Sequence, residues 1–339
     1  TNLFLESNLD RDKILKKEKF NLGHRHFFVL GNTEDHKIDL KKCLTWFRST
    51  KNYWKKWVGT LVLPEENRDI IKRSALVLKL LTFGGTGAII AAPTTSIPEE
   101  VGSERCFDYR FCWIRDAAYT ADALYKIGRD LEARRFMGFI RRRIASDDYL
   151  QIMYGIHGET KLKEYELDHL EGFHGSKPVR VGNAAYNQEQ NDIFGEVIDV
   201  IYLYYVYYEF EKEMPARYWR FLKWLVNQIK FRWDKKDSGI WEFRSEEKHY
   251  TYSKFMCHTG VDRAIKIAQH FGKDYLVNEW IDLRDEIKND ILKNAYNEEK
   301  KAFTMFYGGD ELDASILHMT YHEFLEYNDP RLINTVKQI

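Results

Sequence analysis

Cysteine and proline are scarce in this chain of 339 residues, which contains 4 cysteines and 6 prolines. Four cysteines are too few for a disulfide-based scaffold of this size. None of them belongs to a CxxC pair or stands beside a zinc-type histidine spacing. We therefore expect reduced, mostly buried thiols and a cytoplasmic location.

Net charge and long apolar runs are also missing. The 52 Lys and Arg residues balance the 52 Asp and Glu residues, so the surface offers no field that would hold a polyanion. No uncharged apolar run reaches the roughly 18 residues that a membrane helix needs. The first residues, TNLFLE, do not form a signal peptide. Nucleic acid and membranes are therefore not expected as partners.

Aromatic residues, in contrast, are plentiful, with 21 Tyr, 21 Phe and 9 Trp. The flat C–H faces of sugar rings stack well on aromatic side chains, and phenol and indole groups hydrogen-bond to sugar hydroxyls. Large helical cores also use aromatic residues. Composition therefore leaves both a sugar-binding protein and an ordinary helical protein open.

The chain divides into two regions with different patterns. Residues 26–30 and 40–46 are short apolar segments bounded by polar clusters; they are typical of strands, although the second could also begin a helix. Pro64 marks the change, and helical periodicity dominates after it. We predict a partial, β-rich N-terminal domain with a linker at 1–63 and an all-α domain at 64–339.

The connections between the predicted helices alternate between short turns and long loops rich in polar and aromatic residues. Short turns such as 128–130 imply antiparallel neighbouring helices. Long loops on every second connection indicate that one end of the helical array carries the function; they span 93–115, 151–190, 233–253 and 294–312. This alternation predicts a toroid of helical hairpins with a pocket at one end.

The first long loop carries too many charges for a dry core. Asp108, Arg110, Arg115 and Asp116 lie among aromatic residues where a helix starts. A guanidinium fork with a carboxylate beside it can bind several hydroxyls of one sugar. Asp116 could instead be the N-cap of that helix, which is a purely structural role.

The second long loop contains His157, His169 and His174. Their irregular spacing, without a helical i, i+4 pair, argues against a metal site. Ordinary hydrogen-bonded histidines explain them better, so we expect no metal.

In the third long loop, Glu242 directly follows Trp241 within an apolar triplet. A carboxyl held against indole and aliphatic groups is desolvated, and desolvation raises its pKa. Such a group stays protonated near neutral pH and can act as a general acid. The alternative is a surface Glu on a short strand, paired with Arg244.

Five motifs occur in one order along the chain: GAIIAAPTTSIPE (87–99), DYRFCWIRD (108–116), GSKPVRVGN (175–183), GIWE (239–242) and LDA (312–314). They resemble segments of glycoside hydrolase family 15. That family holds glucoamylases, glucodextranases and the trehalases of some archaea and bacteria. One such match would be weak, whereas five in order identify a member of the family.

The resemblance implies an (α/α)6 barrel behind an N-terminal β-sandwich, of which residues 1–63 would be a remnant. It implies inverting hydrolysis of an α-glucosidic bond at a non-reducing end, without a cofactor. Inversion requires two carboxyls about 6.5–9.5 Å apart, one as the acid and one to activate water. By the motifs, Glu242 is the general acid, and the residues that match the pocket for the terminal glucose are Arg115, Asp116, Asp108, Tyr109, Trp113, Arg180 and Trp241.

The sequence departs from the family pattern in three places. Cys106-Phe107 stand where similar members have Asn-Trp, and His258 stands where many have Trp. Phe243 replaces the second Glu that follows the acid in fungal glucoamylases. The changes at Phe243 and His258 would alter the site beyond the first glucose, so we expect them to bear on substrate choice.

The general base of the family belongs to a C-terminal segment that this chain does not include. The N-terminal region is also too short for a whole β-sandwich. We therefore expect either a fragment trimmed at both ends or a broken gene product. A toroid left open in this way would expose apolar helix faces and favour association, for instance into a homo-oligomer.

The resemblance leaves three functions open. The leading one is a glucoamylase-like enzyme that releases glucose from the non-reducing ends of α-glucans and maltooligosaccharides. The second is a trehalase, with the same acid and glucose pocket but a different site for the second sugar. The third is a non-catalytic glucan-binding or regulatory barrel, which the absent base favours and the intact Trp241-Glu242 pair disfavours.

Overall fold

The computed structural model describes residues 3–21, 23–32, 38–147, 149–273, 275 and 277–339. The chain forms two compact units, Thr1–Val62 and Leu63–Ile339. No helix in the described ranges is both long enough and apolar enough to cross a membrane.

The N-terminal unit contains an antiparallel strand pair and two helices: β1 (Phe4–Ser7), α1 (Arg11–Leu15), β2 (Phe28–Gly31) and α2 (Leu40–Val58). The apolar segment at 40–46 begins α2, because the Asp39 carboxylate caps that helix by accepting the Lys42 N–H at 2.7 Å. Strand pairing in the described part of this unit is confined to β1 and β2.

The second unit consists mainly of helices: α3 (Arg68–Leu81), α4 (Ile114–Lys126), α5 (Asp130–Asp147), α6 (Asp192–Tyr202), α7 (Ala216–Arg232), α8 (Thr251–His270), α9 (Val277–Asn294), α10 (His318–Tyr321) and α11 (Pro330–Gln338). Helices α4, α6 and α8 pack side by side in that order, and each also packs against the helix that follows it, α5, α7 and α9 respectively. This is the arrangement of consecutive hairpins that the alternating connection lengths predict.

Burial separates these helices into an inner and an outer layer. Every residue of α6 from Asp192 to Ile201 is buried, and so is nearly all of α8. Helices α7 and α9 bury only one face and expose the other. A helix that is apolar on almost all sides is stable only inside the protein, whereas an amphipathic helix can cover it from outside. Most of α4 is buried as well, so α4, α6 and α8 form the inner layer.

Two-residue strand pairs order the long loops, and one of these pairs joins the first long loop to the second. Trp113 pairs with Met153 and Cys112 with Tyr154, and α4 begins immediately after Trp113. The pairs are β3 (Cys112–Trp113) with β4 (Met153–Tyr154), β5 (Tyr165–Glu166) with β6 (Arg180–Val181), and β7 (Tyr296–Asn297) with β8 (Ala302–Phe303). The first of them fixes where α4 starts, and with it the positions of the charged residues in the first turn.

Two glycines allow α6 and α8 to pack closely. A Cβ atom added at Gly195 would lie 2.0 Å from the carbonyl oxygen of Met256, and one added at Gly260 would lie 2.8 Å from the Cα of Gly195. Neither position has room for a side chain, because the interior is packed at crystal-like density. The spacing of the two inner helices therefore depends on these glycines.

We expect Gly195→Ala to destabilise the protein by about 1–3 kcal/mol, because the methyl group must push α8 away from α6. Gly138→Ala is the matched control, since a Cβ at Gly138 in α5 would meet only the far end of the Arg142 side chain, at 3.3 Å. That exchange should stabilise the protein by about 0.5–1 kcal/mol through helix propensity. Denaturant unfolding measures both; equal effects would contradict the close packing at Gly195.

Candidate active site

The long loops of the helical unit enclose a pocket of about 480 Å³. Among the described residues, those that line it combine carboxyl, guanidinium and aromatic groups: Glu99, Arg105, Phe107, Tyr109, Trp113, Arg115, Asp116, Asn183, Ile240, Trp241, Glu242, Phe243 and Arg244. A volume of this order suits a small organic ligand. Six of the residues predicted from the sequence are among them: Glu242, Arg115, Asp116, Tyr109, Trp113 and Trp241.

Glu242 lies in a tight turn whose backbone is strained. Its φ angle is +56°, in the left-handed region that residues other than glycine rarely adopt. The Gln188 amide donates to the carbonyl oxygens of Glu242 and Phe243, both at 3.2 Å. The Glu242 N–H donates to the Gly239 carbonyl at 3.1 Å. The strain is therefore maintained by the surrounding hydrogen bonds, as is common for residues with a chemical role.

The Glu242 carboxyl accepts hydrogen bonds from two pocket residues. The Trp113 indole Nε1 donates to its Oε1 at 2.5 Å, and an Arg115 Nη2 lies 3.4 Å from the same oxygen. Burial raises the pKa of Glu242 above its ordinary value, although the Arg115 charge and the Trp113 hydrogen bond oppose that rise. The group is therefore set to remain protonated to higher pH than an exposed glutamate, which suits a proton donor.

The structure excludes the alternative of a surface Glu242 paired with Arg244. Residues 239–242 form a turn and not a strand. Arg244 is directed to Glu164, to which it donates two hydrogen bonds, at 3.1 and 2.7 Å. Glu242 instead faces the pocket with only 21% of its side chain exposed.

Arg115 is held by four acceptors from two segments of the chain, residues 190–192 and the turn at 239–242. One terminal nitrogen, Nη1, donates to Gln190 at 2.9 Å and to Asp192 at 2.8 Å. The other, Nη2, donates to the Ile240 carbonyl at 3.0 Å and reaches Glu242 at 3.4 Å. A buried charge is costly without partners. These four acceptors supply the partners and hold the guanidinium in one orientation.

Asp116 is not the N-cap of α4. The cap position belongs to Trp113, and Asp116 is the third residue of the helix. Burial raises the pKa of Asp116, and the charge of Arg115 opposes that rise. No side chain in the described part of the chain is hydrogen-bonded to the Asp116 carboxyl, which faces the pocket. It is therefore available to accept hydrogen bonds from a ligand.

Aromatic side chains form much of the pocket wall. Tyr109 and Trp113 pack with their ring centroids 5.7 Å apart. Trp241 is 49% exposed as a residue, yet its indole Nε1 donates to Asp313 at 3.0 Å, which holds the plane of the ring. Phe243 stacks on Tyr250 at 5.4 Å and also lines the pocket. Fixed aromatic planes around polar groups are suited to a sugar ring.

Two residues that the sequence assigned to the pocket lie behind its wall. The buried Asp108 carboxylate is occupied by Arg110, at 2.9 and 2.7 Å, and by the Gly182 N–H at 3.1 Å. Arg180 donates to the Glu104 and Cys106 carbonyls, at 2.9 and 3.2 Å. Both residues join neighbouring loops. The expectation that they face the ligand is therefore corrected: they support the wall of the pocket and do not line it.

His258 does not line the pocket either. It is buried in α8 with its ring against Phe324, at 4.8 Å between centroids, and burial lowers the pKa of His258 to about 3. The expected influence of His258 on a second-sugar site therefore has no basis in the described pocket, whereas Phe243 does line it. No group of three or more potential metal ligands is found in the described ranges.

Sequence reasoning missed Asp192 and Gln190, which hold Arg115 from behind. A signal was present, because Asp192, Glu196 and Asp199 recur at i, i+4 and i+7 on a helix that is otherwise apolar. Acidic residues on one face of a buried helix require partners on a neighbouring element. The structure supplies one by placing Asp192 against Arg115.

Comparison with known proteins relates the chain to one family. The model for glycosyl hydrolases family 15 matches residues 65–339. The trehalase of Mycobacterium tuberculosis is 41% identical over 295 residues, which are 86% of this chain and 43% of that protein. The trehalase of Thermoplasma volcanium is 35% identical over 320 residues, which are 94% and 49% respectively. The chain thus spans about half the length of these curated relatives.

A solved structure shows the same fold at low sequence identity. A bacterial glucoamylase in complex with acarbose superimposes with a TM-score of 0.67 and 16% identity, over 93% of this chain and 47% of that one. Because the sequence identity is so low, this superposition is evidence for the fold alone. The superposition confirms the toroid of helical hairpins predicted from the sequence.

We expect Trp113→Phe to move the titration of Glu242 to higher pH. The exchange removes the indole N–H that stabilises the charged carboxylate. Carboxyl ¹³C NMR of protein labelled at glutamate Cδ measures the midpoint, with a Glu242→Gln sample assigning the resonance. Trp241→Phe is the matched control, because the Trp241 indole donates to Asp313. A Trp113→Phe midpoint at or below the wild-type value would contradict the role of this hydrogen bond.

Proposed function

The chain belongs to glycosyl hydrolase family 15, and on that premise we propose that it carries the general acid and the glucose-binding pocket of a trehalase. The relatives that are 34–41% identical to this chain are named trehalases. The likeness to glucoamylase rests on structures of much lower identity. The expectation that placed glucoamylase first therefore gives way to its trehalase alternative.

The observation that carries this proposal is the environment of Glu242. In its protonated form Glu242 donates its proton to the glycosidic oxygen as the bond from that oxygen to the sugar carbon breaks. The carboxylate left behind is stabilised by Trp113, at 2.5 Å, and by Arg115, at 3.4 Å. Burial keeps the proton on the acid before the reaction, and the two donors stabilise the charge that forms afterwards.

The remaining pocket residues are proposed to bind the terminal glucose. Asp116 accepts hydrogen bonds from sugar hydroxyls, since its carboxyl faces the pocket. Tyr109, Trp113 and Trp241 offer planes and polar edges for stacking and orientation. Arg115 fixes the geometry between Asp116 and Glu242, because its guanidinium is already held by protein acceptors.

The inverting course implied by the resemblance stays a prediction. It needs a second carboxyl, about 6.5–9.5 Å from the acid, that activates a water molecule. We assign that role to none of the described residues.

The proposal is tested by measuring glucose release from trehalose, maltose and maltoheptaose, each offered separately to the full-length protein. We expect release from trehalose at a rate at least about tenfold above that from either maltooligosaccharide, because a site built for one second sugar rejects another through unpaired polar groups. Release from the maltooligosaccharides alone would make the protein a glucoamylase. No release from any of the three would favour a non-catalytic sugar-binding barrel.

We expect Glu242→Gln to lower kcat on trehalose by about 10²–10⁴-fold, because glutamine has no proton of suitable acidity to donate. The Michaelis constant should change little, since the amide retains the shape of the acid. Glu246→Gln is the matched control, as Glu246 is exposed and pairs with Lys236 at 3.6 Å. Wild-type turnover in Glu242→Gln would show that another group is the acid.

A further inference from the structure

Asp192, at the first residue of α6, is a buried carboxylate for which the proposed reaction has no direct use. Its side chain is completely buried, and its Oδ2 accepts from Arg115 Nη1 at 2.8 Å. Asp192 is not among the residues that line the pocket. It therefore acts on the reaction, if at all, through Arg115.

The guanidinium of Arg115 contacts two carboxyls through different terminal nitrogens. Its Nη1 donates to Asp192 at 2.8 Å, and its Nη2 lies at the longer distance of 3.4 Å from Glu242. The side chain of Arg115 is only 8% exposed. Water therefore screens these charges poorly, and the charge on one carboxyl affects the protonation of the other through the arginine that both contact.

We propose that Asp192 is a positioning residue for the acid: by binding Nη1 of Arg115, it prevents that arginine from forming a full ion pair with Glu242 and so keeps Glu242 protonated. This inference rests on the proposed function of the same site. Loss of the Asp192 charge would release the guanidinium toward Glu242 and leave its positive charge uncompensated. A carboxyl beside an uncompensated arginine gives up its proton at lower pH.

The charges around both carboxyls support that direction. Glu242 faces Arg115, whose charge lowers its pKa, and also Asp116 and Asp192, whose charges raise it. Removing Asp192 therefore acts twice in the same sense, directly on Glu242 and through Arg115. Other titratable groups whose charges interact with Asp192 are Asp116, Tyr119, Glu196, Asp237, Tyr252 and Cys257.

A purely structural role is the competing explanation. A buried arginine without its carboxylate destabilises a fold wherever it lies. Helix α6 supplies a comparison, because Asp199, two turns further along, is also buried and also pairs with an arginine, Arg263, at 3.0 Å. That arginine donates to Asp199 and Asp262 and not to Glu242. Both aspartates should matter for stability, and only Asp192 should matter for the acid.

The test compares Asp192→Asn with Asp199→Asn in the full-length protein. For Asp192→Asn, we expect the alkaline limb of the kcat profile on trehalose to move to lower pH. The rate on that limb should fall by about three- to tenfold relative to the variant's own plateau at low pH. For Asp199→Asn, the alkaline limb should stay at its wild-type pH, even if the variant is less stable. Asp192→Glu, which keeps the charge, should also keep the limb at its wild-type pH.

A second measurement separates this inference from the proposed function. The ¹³C midpoint of Glu242 should fall in Asp192→Asn and stay unchanged in Asp199→Asn, whether or not trehalose is the substrate. Asp192→Ser provides a second neutral side chain, for which the same decrease is expected. An unchanged or higher midpoint in both neutral variants at position 192 would overturn the role of Asp192. Inactivity of the wild-type protein on trehalose would overturn only the proposed substrate.

Discussion

The burial of one cation, the guanidinium of Arg115, is the constraint on which the rest of the site depends. A buried charge without partners costs several kcal/mol, so the fold must bring acceptors to it from elsewhere in the chain. It does so with Gln190, Asp192 and the turn that contains Ile240 and Glu242. The same contacts that satisfy the arginine place the proposed acid, so that stability and the proposed chemistry share one set of hydrogen bonds.

Glu242 shows how opposing effects on one carboxyl are balanced. Burial favours its neutral form, whereas the Trp113 indole and the Arg115 charge favour the ionised form. A general acid needs both, since it must hold a proton before the reaction and carry a charge after it. The strained backbone at Glu242, with φ of +56°, is maintained because Gln188 and the Gly239 carbonyl are bonded to the same turn.

The inner helices provide the rigid frame for this arrangement. Helix α4 presents Arg115 and Asp116 in its first turn, and α6 presents Asp192 at its first residue. The close packing of α6 on α8, which has no room for a side chain at Gly195, fixes the depth of α6 in the array. The long loops are joined by buried polar contacts such as that of Asp108 with Gly182.

The sequence by itself determined the helical hairpins, and it predicted which end of the array carries the pocket and which residue is the proposed acid. Periodicity and loop length are local properties, and Glu242 beside Trp241 carried its own desolvation argument. Only the tertiary structure decided which charges face the ligand. Asp108 and Arg180, predicted in the pocket, are bound to neighbouring loops, whereas Asp192 emerged as a partner of Arg115. The reason is physical: a charged side chain takes the nearest acceptor or donor in space, and residues 75 to 127 positions apart in the sequence become neighbours only on folding.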